Sequence, residues 1–436
     1  MTGNRRLNIL VLHAMGDQRN WFAGVADVEL LFPSNDRENN YLIHNCYLPF
    51  PKIVQDYEFD AVYMMSTFMD KITGDGLQGR WIKQFDFLKH TSAIKIVFPQ
   101  DDYWQSEIRD TFYVEWGIHK VFPVCPPDSW PELIPRYIEL GGSIELGYTT
   151  YVTNYMKNLS RFAKAWNERD FDVVYRAKRT PGAPNHFGVL KGIIGDRFLA
   201  AIGVDSNLLC DISTDPRKLI RGDAWYQFIG ASKAILGSNS GSSVRLRNKK
   251  ISLKLQAYQA ANPKSSSDEV EQAVIPEMDR NKSYTAISPR NLEAAMLGTI
   301  QILVPGAYGD FLKPWEDYIP LAEDCSNIDQ VLEHLRDREY CMQVAASCKR
   351  KLLEAKELDA ERFIERVIGF VRARRPDVAH SENLNFEELL KWHERQVARL
   401  ALLQAIKHSA SSLSRVILLR PIKTILKSVR KHLIND

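Results

Sequence analysis

The sequence predicts an α/β protein made of two Rossmann-like, doubly wound domains facing each other, followed by a C-terminal helical tail. Three observations predict it. Short apolar runs recur along the chain, and each ends in turn residues, the pattern of strands buried on both faces. The segments between them are long enough for the crossovers that parallel neighbours require. The pattern pauses over a polar, helix-like stretch at 151–170 and then restarts, so a second unit begins there.

In order, the first unit has runs at Leu7–Leu12, Phe59–Met65, Ala93–Phe98 and His119–Val124. The loops that leave the first, third and fourth are His13-Ala14-Met15-Gly16-Asp17, Pro99-Gln100-Asp101-Asp102 and Cys125-Pro126-Pro127. The second unit has runs at Phe171–Tyr175, Ala234–Leu236, Ser283–Ile287, Thr299–Val304 and Tyr318–Leu321. Residues 338–375 are helical in composition. The expected division is 1–155, 156–345, a helical segment 346–394 and a basic tail 395–436. Ligands of such folds bind where loops leave the C-terminal strand ends, so the cleft between the units is the expected site.

Composition agrees with this. The chain has 436 residues, 45% hydrophobic and 25% charged, which excludes a disordered or fibrous protein. Six cysteines without a CxxC pair argue against a zinc ribbon or a disulfide framework and fit a reducing, cytoplasmic compartment. Neither a signal peptide nor a spanning helix is expected. The net charge of +3 is unevenly placed. Nine Lys or Arg stand against one acid in 395–436, so an acidic body carries a basic tail. After Pro421, Ile422, Ile425, Leu426, Val429 and Leu433 form one helical stripe beside Lys423, Lys427, Arg430 and Lys431. Such a helix lies on a membrane surface or docks on the protein body.

The most informative segment is Ser288-Pro-Arg290-Asn-Leu-Glu293-Ala-Ala-Met-Leu-Gly298-Thr299. Proline early and glycine late punctuate a helix between two strands. Its first amides and Arg290 suit an anion. Glu293 suits ribose hydroxyls, or merely complements the helix dipole.

SPRNLEAAMLGT followed by QILVPGAYGDFLKPWEDYIPL resembles the donor-binding segment of GT-B glycosyltransferases. It is similar to the family 1/4-like group that includes spore-coat maturation type and polysaccharide biosynthesis enzymes. That group's pattern is S-x-R-x-x-E-A-x-x-x-G-T, then a strand, a glycine loop and Y-I-P-L. VFPQDDYW, DVVYRAKR and DAWYQFIGASKAILGSNSGSSV resemble further segments of the group, so the likeness spans roughly 90–335. It implies a GT-B architecture with an acceptor-side first domain and a nucleotide-sugar donor domain after it. It implies glycosyl transfer to a hydroxyl of a glycan, lipid-linked or protein acceptor, with no metal, no cofactor beyond the nucleotide-sugar, and no nucleic acid. Ser288, Arg290, Glu293 and Gly306 would hold the donor, with Glu293 on the ribose. Retaining relatives carry a second acid eight positions before this glutamate, where this chain has Thr285.

The remaining candidates are weighed on chemistry. Arg176, Lys178 and Arg179 form a cationic loop suited to a departing diphosphate, or a solvated basic turn. Lys191 is a weaker candidate for that role. Ser240, Gly241 and Ser242, within the Ser238–Ser243 stretch, form an anion cradle or a flexible loop. Asp101 or Asp102 is a general base, or both cap a helix. His13, Gly16 and Asp17 form an acceptor-side loop. Asp170-Phe171-Asp172 has the DxD form but precedes its strand, so it reads as coincidence. Alternatives to transfer are a nucleotide-sugar epimerase of the same fold and a non-catalytic glycan- or nucleotide-binding scaffold. A nicotinamide oxidoreductase lacks support, because no GxGxxG is present.

Overall fold

The computed structural model describes residues 5–15, 28–179, 185–204, 206–276, 283–375 and 385–413. Gly16, Asp17 and the amphipathic stretch at 422–433 lie outside the described residues.

The first sheet contains β1 (Asn8–His13), β2 (Asn40–Asn45), β3 (Ala61–Met64), β4 (Ile94–Val97), β5 (Lys120–Val121) and β6 (Ser143–Ile144). Its order is β2-β1-β3-β4-β5-β6, and every pairing is parallel. β1, β3 and β4 are buried along their whole length. This explains their uninterrupted apolar sequence, since helices and loops cover both faces of a parallel sheet. β2 lies at the edge, four of its six residues partly exposed, and its sequence NYLIHN carries no long apolar run.

Along the second lobe come β7 (Phe171–Arg176), β8 (Cys210–Ser213), β9 (Ser232–Gly237), β10 (Ser240–Ser242), β11 (Tyr284–Ala286), β12 (Ile300–Leu303) and β13 (Ile319–Pro320). Five of these form a parallel sheet of order β13-β12-β9-β7-β8. The run at 283–287, expected in this sheet, instead pairs antiparallel with residues 240–242 as a separate ribbon. Within the Ser238–Ser243 stretch, residues 240–242 are therefore a paired strand, not a free loop. Gly241 makes the pairing possible. Its φ is +103°, and a Cβ there would lie 2.1 Å from the Tyr284 carbonyl oxygen. Gly241→Ala is expected to destabilise the ribbon by about 1–3 kcal/mol, read as faster exchange of the β10 and β11 amides.

Residues 151–170 are not one helix. They form short turns at Asn154–Lys157, Leu159–Phe162 and Trp166–Glu168, the first capped by the Thr153 side chain, which accepts from the Met156 amide. Between the ribbon strands, Lys249–Ala261 and Ser267–Val274 form two helices around a small core of Val244, Leu246, Leu255, Val270 and Ile275. The helix Arg338–Glu354 packs on the second lobe through Cys341, Ala345, Cys348 and Leu352. The next helix, Ala360–Arg374, returns to the first lobe, where Phe363, Val367 and Val371 enter its core. Phe363 stacks on Tyr151 at 4.1 Å and meets Phe122 edge-on at 5.1 Å. The chain therefore crosses between lobes twice, and the crossings run side by side. The Val152 amide donates to Leu358 and the Ala360 amide to Val152.

The described residues 48–57 and 385–413 belong to a second compact unit. In it the long helix Phe386–Leu413 begins with Phe386, whose ring lies 6.0 Å from that of Tyr57. No helix among the described residues is long and apolar enough to cross a membrane.

Candidate active site

Most candidate residues lie on the loops and helices that follow strands of the two parallel sheets. On the second lobe, β7 carries the fully buried Tyr175, and the phenol donates to the Lys191 carbonyl at 2.8 Å. This bond ties the strand to the helix His186–Ile202 that carries Lys191. The helix Pro289–Met296 supplies Arg290 and Glu293 one turn apart. The guanidinium of Arg290 lies 5.2 Å from the Tyr175 ring centroid and 5.4 Å from that of Trp225. Its Nη2 donates to the Arg176 carbonyl at 2.6 Å. Its Nε is buried without a partner among the described residues, and so is Ser238 Oγ at the end of β9. Both groups lie close to the Tyr175 phenol, whose titration they influence.

Lys191 stands beside Arg290. Burial first and the nearby Arg290 charge second lower its ammonium to about 8, with Asp101 on the first lobe opposing both. Two cations held close together, one of them discharging near neutrality, form a site that an anion completes. The sign of the pH effect follows. An anion restores the proton on Lys191, so nucleoside diphosphate affinity should be highest below pH 8 and fall as pH rises through it. Titration calorimetry with UDP between pH 6.5 and 9.5 checks this, and Lys191→Met should flatten the profile.

Glu293 is 3% exposed, and its Oε2 accepts from the Trp225 indole at 2.8 Å. Trp225 thus orients both charged residues of the motif helix. Ser288 starts that helix, its amide donating to Asn291 Oδ1 at 3.0 Å. Gly306 follows β12, where a Cβ would fall 1.6 Å from Asn239 Oδ1, so a larger residue there would have to displace the Asn239 side chain. Thr285, in the place of the second acid, is buried in β11.

Arg176, expected at a departing diphosphate, is engaged elsewhere. Its guanidinium donates to Asp211 Oδ2 and to the carbonyls of Tyr175, Asp211 and Lys218, and lies over the Phe228 ring. Most of its N–H groups are spent on the β7–β8 edge. Arg179 is paired with Asp196 and donates to Thr214, while Lys178 is exposed beyond the end of β7. Ser242 is buried, its Oγ accepting from the Val244 amide, and Ser240 is paired within the ribbon.

On the first lobe, the two adjacent acids part company. Asp102 is buried and accepts from the Val124 and Cys125 amides at 2.7 and 3.2 Å, so it braces the loop after β5. Asp101 is exposed, at φ +50°, and accepts from the Tyr103 hydroxyl at 2.8 Å. A left-handed backbone is uncommon outside glycine, and here it accompanies an exposed carboxylate. His13 is 6% exposed, and burial lowers its imidazole to about 4. It is neutral, with Nδ1 accepting from the Met15 amide at 3.2 Å. Asp170 and Asp172 of the DxD form pair with Lys164 and Lys233. Among the described residues no cluster of three or more His, Cys, Asp or Glu could hold a metal ion.

No protein-family model matches the sequence, and a search of curated proteins returns no match. Solved structures do match in shape. A glycosyltransferase from Rickettsia africae ESF-5 aligns with a TM-score of 0.50 at 8% identity, over 86% of this chain and 100% of its own. An alpha-glucosyltransferase solved with UDP and a 13-mer DNA containing an HMU base aligns with a TM-score of 0.51 at 11% identity, over 84% and 100%. The chain has the GT-B fold. In GT-B terms the first sheet is the N-terminal lobe and the second sheet is the C-terminal lobe.

Sequence reasoning ranked Lys191 low and passed over Tyr175 and Trp225. The lysine has no motif around it, and only folding the helix 186–202 against β7 brings it to Arg290. A signal for Trp225 existed in its place on an apolar helix beside the motif segment, but nothing in the sequence pairs an indole with Glu293.

Proposed function

We propose that this GT-B chain transfers a glycosyl group from a nucleotide-sugar donor to a hydroxyl acceptor. The observation that carries the reading is Arg290 on the motif helix, held against the Tyr175 and Trp225 rings, with the Lys191 ammonium within reach of its charge and of that of Asp101. A nucleoside diphosphate is the leaving group of such transfer, and charge grows on it as the glycosidic bond breaks. Cations already in place stabilise that charge without reorganising. Lys191 and Arg290 take this role in place of Arg176, and the chain's own side chains do the work a bound metal does elsewhere. Glu293, fixed by Trp225, faces the donor's ribose side. Asp101 is the group placed to accept the acceptor's proton, if the anomeric centre inverts. UDP bound to the similar alpha-glucosyltransferase supports a nucleotide donor of this kind. The basic segment 395–436 supports an acceptor presented at an anionic membrane surface, such as a lipid-linked glycan.

A thermal-shift screen of the full chain against UDP-, GDP-, ADP- and TDP-sugars tests the reading, because a ligand of the native state raises Tm by mass action. A nucleotide-sugar that stabilises the chain should then be consumed faster when a hydroxyl acceptor is added. Turnover of the donor with no acceptor would favour the epimerase, and stabilisation by none of the panel would overturn the assignment.

A further inference from the structure

The two chain crossings join the lobes on one side of the cleft. A third tie, which is not a crossing, joins them at the loop that bears Asp101. Residues 103–107 of the N-terminal lobe run parallel to residues 246–247 of the ribbon insertion as a short bridge at Trp104 and Leu246. The Leu246 amide donates to the Tyr103 carbonyl at 2.9 Å, the Gln105 amide to the Leu246 carbonyl at 2.6 Å, and the Glu107 amide to the Arg247 carbonyl at 3.1 Å. Side chains continue it. Arg247 meets the Glu107 carboxylate at 2.6 Å, and Asn248 Nδ2 donates to its other oxygen at 2.7 Å. Arg245 donates to the Glu132 carbonyl, and the Tyr284 hydroxyl to the Glu132 carboxylate at 2.9 Å. Each of these bonds joins a residue of one lobe to a residue of the other.

The tie has two features that set it apart from ordinary packing. First, it is built on strained backbone. Asp101 and Gln105, at the two ends of the loop, both have positive φ, at 50° and 53°. Strain of this kind persists only where surrounding bonds hold it. From inside, Arg109 Nε donates to the Trp104 carbonyl at 3.1 Å, and from across the cleft the bridge holds residues 103, 105 and 107. Second, its second-lobe half is the stem of the two-helix insertion and carries its own small core through Val244 and Leu246. It is therefore a discrete element, able to part from the first lobe without unfolding either sheet.

We propose that residues 244–248 are a latch: bound to 103–107 they hold the lobes closed and set Asp101 opposite Lys191, and released they let the lobes part about the paired crossings at 152 and 358–360. The latch is a property of the fold and does not depend on which reaction the site performs.

The test uses the full chain. Glu107→Lys breaks the ion pair at a half-exposed position outside the site. The combined variant Glu107→Arg with Arg247→Glu restores it in reverse. Two measurements are made on each. Hydrogen exchange reads the Gln105, Glu107 and Leu246 amides, with β3 and β9 amides as the internal reference. Pulsed dipolar spectroscopy reads the distance between spin labels at exposed Leu140 and Leu209, one on each lobe. In Glu107→Lys the three latch amides should exchange about fivefold faster, since one part-exposed ion pair with its hydrogen bonds shifts an equilibrium by that order. The label distances should gain a second population, the β3 and β9 amides should not change, and the charge-swapped variant should return most of both effects. Unchanged latch amides would overturn the proposal. Faster latch amides with an unchanged distance distribution would also overturn it, because the bridge would then fray without governing the lobes.

Discussion

Arg290→Ala and Lys191→Ala should each lower kcat/KM for a nucleotide-sugar by about 10²-fold or more, the usual cost of removing one preorganised group that faces developing charge. The two losses should not add, because both groups act on one diphosphate and each depends on the other's field. Arg290→Lys is the informative control. It keeps the charge but loses the planar fork and the stacking on Tyr175 and Trp225, so it should recover only part of the activity. Arg176→Ala is expected to behave differently. Removing it strips Asp211 and three carbonyls of their donor, so its main effect should be a lower Tm. Steady-state kinetics beside melting curves for the four variants separates the two kinds of residue.

The second large effect is structural. Phe363→Ala should cost about 3–5 kcal/mol, the range for truncating a buried aromatic. Phe363 is 1% exposed and touches Phe32, Phe98, Phe122 and Tyr151 in the core of the first lobe. It sits on the helix Ala360–Arg374 that the chain sends back from the second lobe. The variant should therefore lose its first-lobe melting transition before that of the second lobe. Calorimetry should split one transition into two. A single transition shifted by less than a degree would show that this helix is not what fastens the returning chain.

What could be read in advance follows from burial. β1, β3 and β4 are buried on both faces, so their residues had to be apolar in succession, and those runs stand out. β2 and β8 lie at sheet edges, and NYLIHN and CDIS carry the polar residues that an edge tolerates. The short β6 pairs through two residues and leaves no pattern at all. The ribbon strand β11 looked like a sheet strand because YTA is as buried as one, while its partner lies across a forty-residue insertion.

The site was legible where spacing along one helix defines it, and obscure where partners come from elsewhere. Arg290 and Glu293 follow from S-x-R-x-x-E. Arg176 looked catalytic because the sequence shows three cations after a strand, but not that Asp211 on the neighbouring strand claims the first. Asp101 and Asp102 are equivalent on paper. Backbone geometry decides between them, turning one outward at φ +50° and burying the other against the amides after β5. Lys191 gains its meaning only from the fold.

The account rests on the cation pair receiving a diphosphate. A crystal structure of the full chain grown with UDP, or with whichever nucleoside diphosphate most raises its Tm, tests this directly. Phosphate oxygens should lie within hydrogen-bond distance of Lys191 Nζ and of Arg290 Nε, which now has no partner. A nucleotide bound elsewhere, with both groups arranged as they are without it, would contradict the account.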